Sequence, residues 1–205
     1  MSDHGFAPFY WGVNLNTWLL RNGYIQLKGT PTAKAMATFN DIDWSRTQAY
    51  ALGLNGLYVN LKGREKNGIV APGAEYESVL AKLEKDLLNW QDARHGKKPV
   101  SALERRRAGA AGESPDLIVG YSWGYRTSWE SPLGNFPPEL VEDNKDAWSG
   151  DHCMDARLVP GILLTNQRIS KRNPALKDLT VALLDEFGIA APPEMTGVDC
   201  LKPKE

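Results

Sequence analysis

Histidine is scarce in this chain, with three in 205 residues, at positions 4, 95 and 152. Cysteine is scarcer: Cys153 and Cys200 are too few for the disulfide framework that holds small secreted domains together. Long apolar runs are missing, since no stretch approaches the roughly 18–20 residues that a membrane span needs. No basic-then-apolar leader opens the sequence, because Asp3 and His4 stand where it would lie. Excess charge of one sign is missing too. With 24 Lys and Arg against 25 Asp and Glu the net charge is −1, which predicts no electrostatic footprint for nucleic acid or for an anionic membrane. The densest basic run, Glu104-Arg105-Arg106-Arg107, lies in an Ala/Gly/Ser-rich stretch and reads as a solvated loop. The expected compartment is the cytoplasm if the chain is complete as given, and the periplasm or the exterior if a signal precedes it.

What is present is an ordinary globular composition, 42% hydrophobic and 24% charged, long enough for one domain with a real core. The apolar pattern sets the elements. Gly56-Leu57-Tyr58-Val59-Asn60-Leu61 is short, apolar and bounded by Gly and Lys, and reads as a buried strand; Lys62–Gly68 after it is a polar turn. From Glu75 the period lengthens. Tyr76, Val79, Leu80, Leu83, Leu87 and Leu88 recur at three- and four-residue steps, which predicts a helix of about five turns. Asp116–Tyr121 and Gly161–Asn166 are continuous apolar runs, as expected for strands covered on both faces. A closing helix is predicted with Asn173 as its cap, Pro174 first, a stripe of Leu176, Leu179, Leu183, Leu184 and Phe187, and Gly188 at its end. Strands separated by helices point to α/β architecture. Residues 5–50 and 122–149, dense in aromatics, Gly, Asn and Pro, read as irregular loop excursions, the second a candidate functional loop.

The chemistry-bearing residues concentrate in Ser2-Asp3-His4-Gly5-Phe6 and Gly150-Asp151-His152-Cys153. Imidazole beside carboxylate suits a divalent transition metal such as zinc, and small neighbours let a cation approach the backbone. Asp3, His4 and His152 are therefore the candidate metal ligands. A ligand so near a chain end must be tied down, because termini are ordinarily loose. Cys153 is either a soft ligand or a small buried thiol. Asp155 reads as a solvated loop carboxylate with a bridging role as the alternative. Arg126, among aromatics in Gly124-Tyr125-Arg126-Thr127-Ser128-Trp129, is a candidate for facing a phosphate ester, or a structural arginine stacked on Trp. His95, without an acidic neighbour at ligand spacing, reads as a surface histidine near a helix end.

Taken in order, several blocks resemble the C-terminal half of the alkaline phosphatase superfamily, in its type I phosphodiesterase/nucleotide pyrophosphatase branch. They are Ser2–Phe6, Leu54-Asn55-Gly56-Leu57-Tyr58-Val59-Asn60 with the Lys62-Gly63-Arg64-Glu65 turn, Pro115–Gly120, Gly150-Asp151-His152, and the run from Leu176-Lys177-Asp178-Leu179 to Met195-Thr196-Gly197. The closing helix departs from the family pattern, since Asp178-Leu179 runs into Thr180-Val181-Ala182. The resemblance implies an α/β fold with a central sheet sandwiched by helices, present here as an incomplete, C-terminal portion spanning 1–205. It also implies a hydrolase with two divalent metals. Asp3 and His4 match the family's Asp-His pair and His152 its late histidine, so the three are expected to converge at the carboxyl edge of the sheet. The nucleophile and the remaining ligands are expected upstream of Asp3, so no catalytic residue is assigned and the chain alone is expected to be inactive. A phosphate-ester small molecule is the implied substrate. A separate N-terminal segment, or self-association through uncovered apolar faces, is the implied protein partner. Two alternatives stay open: a non-catalytic α/β binding protein using its Trp-rich loops, and a phosphomonoesterase- or sulfatase-type relative.

Overall fold

The computed structural model describes residues 1–29, 36–106 and 112–201. Arg107 of the basic run and residues 30–35 of the first excursion lie outside the described residues. The chain is mixed α/β, and it divides into two compact units, Phe6–Val159 and Met1–Gly5 with Pro160–Glu205.

In the larger unit the elements run β1 (Ala7–Val13), α1 (Leu15–Arg21), β2 (Ala37–Thr38), β3 (Ala49–Leu52), β4 (Gly56–Val59), α2 (Ala74–Asn89), β5 (Val100–Arg105), β6 (Leu117–Tyr121), β7 (Gly124–Thr127), β8 (Asn135–Phe136), β9 (Val141–Asp143) and β10 (Gly150–Asp151). The strands at Gly56 and Leu117 and the helix from Ala74 lie where the apolar periods placed them. Four strands form a sheet in the order β3-β4-β6-β5, antiparallel throughout. α2 packs on β5 and β4 through Val79, Leu80, Leu83 and Leu87, all buried. Arg105 on β5 clasps α2 by salt bridges to Glu77 and Glu84 at 2.7 and 2.6 Å.

The sheet departs from the expectation of strands covered on both faces. Along β4, Leu57 and Val59 are fully buried, while Tyr58 is half-buried and stacks on Tyr50 with ring centroids 5.3 Å apart. Ile118 on β6 is 42% exposed. An antiparallel sheet can leave one face partly open to water, which a buried parallel sheet cannot.

Under the sheet lies an ionic knot. Asp116, fully buried, accepts hydrogen bonds from both terminal nitrogens of Arg64 at 2.9 and 2.6 Å, from the Tyr76 hydroxyl at 2.7 Å and from the Val59 amide at 2.7 Å. Burial pushes its carboxyl up, but these donors outweigh burial and hold it below the usual range. The Lys62–Gly68 turn is thus polar, as read, because it delivers Arg64 and Glu65 inward.

Both supposed excursions contain ordered strands. β1 is central to a second sheet, lying parallel to β7 and antiparallel to β9 and β10. Its register sets Ala7 opposite Asp151, and Gly12 opposite both Arg126 and Glu142. Gly12 permits this closeness, since a Cβ there would stand 3.3 Å from the Ser128 Cβ. Gly124, at φ +88°, turns the chain from β6 in one sheet into β7 in the other, a conformation costly for any residue with a Cβ. β2 and β8 pair separately.

The smaller unit carries α3 (Leu176–Glu186) over a small core of Leu179, Ala182 and Cys200, with Leu163 and Leu201 packed against it. Two expectations fail here. Gly161–Asn166 forms no strand, and its Ile162 and Leu164 are 62% and 83% exposed; only Leu163 joins the core. Asn173 is not the cap of α3 but sits at φ +56° before it. The start is held instead by Asp178, whose carboxylate accepts from the Ala175 amide at 2.8 Å, the Val198 amide at 3.0 Å and Lys171 Nζ at 2.6 Å. The buried face is accordingly Asp178, Leu179 and Ala182, while Leu176, Leu183 and Phe187 of the predicted stripe are exposed. Gly188, at φ +68°, follows the helix end as expected.

Candidate functional site

The Asp151-His152-Cys153 loop follows β10, which is pinned to the start of β1. Asp151 is 2% exposed. Its Oδ1 accepts from the His152 and Cys153 amides at 2.6 and 3.1 Å, and its Oδ2 stands 2.7 Å from Arg126 Nε. The Nε–H is not aimed at that oxygen, so this contact is an ion pair rather than a hydrogen bond. Burial raises the Asp151 carboxyl, yet the two amides and Arg126 together hold it below the ordinary range. Asp151 is therefore a fixed anion that shapes the loop after it. The His152 imidazole is 45% exposed and meets the Phe6 ring edge-on at 5.7 Å. One ligand atom each from Asp151, His152 and Cys153 lies within 4.8 Å of the others, so the loop could hold a cation. Cys153 is half-buried, and burial together with the Asp151 charge pushes its thiol up to about 11. A protonated thiol is a poor ligand unless a metal displaces its proton, which leaves the imidazole as the readiest donor.

Asp3 and His4 belong to the smaller unit, His152 to the larger. Within the smaller unit the chain start is tied down. The Ser2 amide donates to the Ile162 carbonyl at 2.9 Å, the Ile162 amide donates to Ser2 Oγ at 3.0 Å, and His4 bridges to Pro160. Gly161 allows that approach, because a Cβ on it would lie 2.3 Å from the Ser2 carbonyl oxygen. His4 Nε2 stands 3.6 Å from the Asp3 carboxylate, and its Nδ1 is 3.0 Å from the Gly5 carbonyl. One nitrogen held by a carbonyl with the other facing a carboxylate is how a ligand imidazole is oriented.

Arg126 lies on β7 at the wall of a cleft of about 490 Å³. It is 2% exposed, and its guanidinium carbon stands 4.1 Å from the Trp129 ring centroid and 5.1 Å from that of Phe9. It lies against tryptophan, as one of the two sequence readings has it, and it lines a cavity.

Asp155 corrects the expectation of a solvated carboxylate. It is 6% exposed, caps a short 3-10 turn at Ala156–Leu158, and accepts from Ser101 Oγ at 2.9 Å and from Arg157. Arg157 foremost holds its carboxyl down at about 2. Both of its oxygens are engaged, by Ser101 and by Arg157.

His95 is likewise not an isolated surface histidine. Its Nδ1 is 2.5 Å from Asp92 Oδ2, which also accepts from the Tyr125 hydroxyl at 2.9 Å, and its ring lies 4.2 Å from that of Trp11. Asp92 is buried, so this is an oriented Asp-His pair. The i, i+3 spacing was visible in the sequence; what was not visible is that the chain turns back between Asp92 and Lys97 and faces the pair inward.

No helix of the described residues is long and apolar enough to cross a membrane. No protein-family model, curated protein or solved structure matches the chain.

Proposed function

We propose that this chain is the C-terminal part of a metal-dependent hydrolase of phosphoric esters, similar to the phosphodiesterase/nucleotide pyrophosphatase branch of the alkaline phosphatase superfamily. In this reading Asp3 and His4 in the smaller unit, and His152 in the larger, are each ligands to a divalent cation, zinc foremost. The observation that carries it is the division of labour at Asp151 and His152. The buried carboxylate fixes the loop through two amides, and the adjacent imidazole, 45% exposed, stands 3.5 Å from that carboxylate, so one ligand atom of each lies close to the other. A divalent cation held by such residues would supply Lewis-acid stabilisation of charge on a phosphoryl oxygen. This chain's residues bind and orient: His4 and His152 would supply imidazole nitrogens, and Asp151 holds the His152 backbone in place.

The test is calorimetric titration of the chain with zinc, with competition by a chelator of known strength. Parent protein is expected to bind, and His152→Ala and His4→Ala each to weaken binding at least tenfold. Undiminished zinc affinity in both variants would sink the assignment. The non-catalytic alternative is favoured by a different observation, the half-exposed Trp129 and Trp148 rings beside Arg126. It requires ligand binding that survives both histidine substitutions.

A further inference from the structure

Arg126 presents an unusual combination of burial and unmet valence. Among the described residues, no side chain or carbonyl accepts a hydrogen bond from its guanidinium, and Asp151 answers only its charge, from the Nε side. The buried orphan atom is Nε, which faces Asp151; the terminal nitrogens have no acceptor among the described residues and so await one from what the cleft admits. The terminal nitrogens form a rigid planar fork suited to two oxygens of a carboxylate or phosphate. The rings of Trp129 and Phe9 lie against the guanidinium, with centroids 4.1 and 5.1 Å from its carbon.

The rest of the cleft has the opposite sign. Its lining carries five carboxylates against three cations. Of those cations, Arg94 is already bound to Asp143 at 2.7 Å and Arg126 already faces Asp151. Glu130 and Glu142 accept from Asn135 and Asn14, but keep their charge. A purely anionic ligand would gain at Arg126 and be repelled by the walls; a purely cationic one would leave the guanidinium unmet. We infer that the Arg126 cleft binds a small zwitterion, its oxyanion end seated on the guanidinium fork and its ammonium end facing the carboxylates. The cavity, at about 490 Å³, is in the range of small-molecule sites. The inference does not rest on the metal ligands.

The test titrates the chain, in the presence of a chelator, with O-phosphoethanolamine, β-alanine, inorganic phosphate and ethanolamine, following tryptophan fluorescence and heat. At least one zwitterion is expected to bind ten or more times tighter than either single-charge probe. Whichever of O-phosphoethanolamine and β-alanine is tighter identifies the oxyanion as phosphate or carboxylate. Arg126→Lys is expected to lower that affinity about tenfold by losing the fork. Because Arg126 is buried, the paired surface substitution Glu139→Gln with Asp146→Asn supplies a second reading. It is expected to weaken the zwitterion and strengthen inorganic phosphate, which no structural effect would do in opposite directions. Equal affinity for all four probes, no binding of either zwitterion, or binding that requires metal would overturn the inference.

Discussion

Replacing Asp151 by alanine tests the core of the site in one step. The carboxylate is 2% exposed and faces an arginine that is also 2% exposed. Its loss leaves a buried cation without a counter-charge, a change that costs about 3–5 kcal/mol. The His152 and Cys153 amides lose their acceptor as well. His152 is exposed and Cys153 half-buried, so water reaching the loop recovers part of that loss. We expect Asp151→Ala to lower stability by about 4 kcal/mol. Asp151→Asn keeps an oxygen for the amides but not the charge, so it should fall by about 1 kcal/mol less. Urea unfolding followed by tryptophan fluorescence is the assay, with stability taken from the linear extrapolation. All seven tryptophans lie between positions 11 and 148, inside Phe6–Val159, so the signal reports that unit alone. Because the folded carboxyl is held below its ordinary value, the stabilisation is complete above an unfolded pKa of about 3.9 and fades as pH falls through the lower folded value. A parent-like midpoint in Asp151→Ala, within about 1 kcal/mol, would refute the claim that this ion pair organises the loop.

Asp116→Ala should destabilise the same unit by about 3–5 kcal/mol, since Arg64, Tyr76 and the Val59 amide all lose a buried partner; Glu84→Ala, which frees a half-exposed arginine, should cost under about 1 kcal/mol in the same urea series. Asp155, held at about 2, contributes stability above pH 4 that is lost between about pH 4 and 2. Arg157 is 73% exposed, so solvent screening reduces that contribution to about 1 kcal/mol, and Asp155→Asn should flatten the acid limb of the stability profile by that amount while leaving the profile above pH 6 parallel to the parent's.

The legible part of this fold is the part governed by local period. Leu57, Val59, Leu117 and Val119 alternate or cluster as strand residues do, and Val79, Leu80, Leu83 and Leu87 recur on one helical face; all are buried. β1 escaped notice because Phe9, Tyr10 and Trp11 put aromatic rings on both of its faces, so no alternation of apolar and polar appears. The strand expected at Gly161 failed for the converse reason. Ile162 and Leu164 are apolar, but neither is covered in its own unit, and hydrophobicity alone does not supply a pairing partner.

The carboxylate and imidazoles at Asp3, His4 and His152, the glycines that let backbones approach, and the near-neutral charge are properties of the sequence by itself. What each aspartate does was decided only by the tertiary structure. Asp116 meets an arginine 52 positions away, and Asp155 meets Ser101 at a separation of 54. Asp151 and Arg126 come together because β1 pairs with β10 at Ala7 and with β7 at Gly12. Carboxylates look alike along a chain. Strand register determines which donors surround each one, and those donors, more than the residue itself, decide whether it serves as a buried counter-ion, a loop anchor or a ligand.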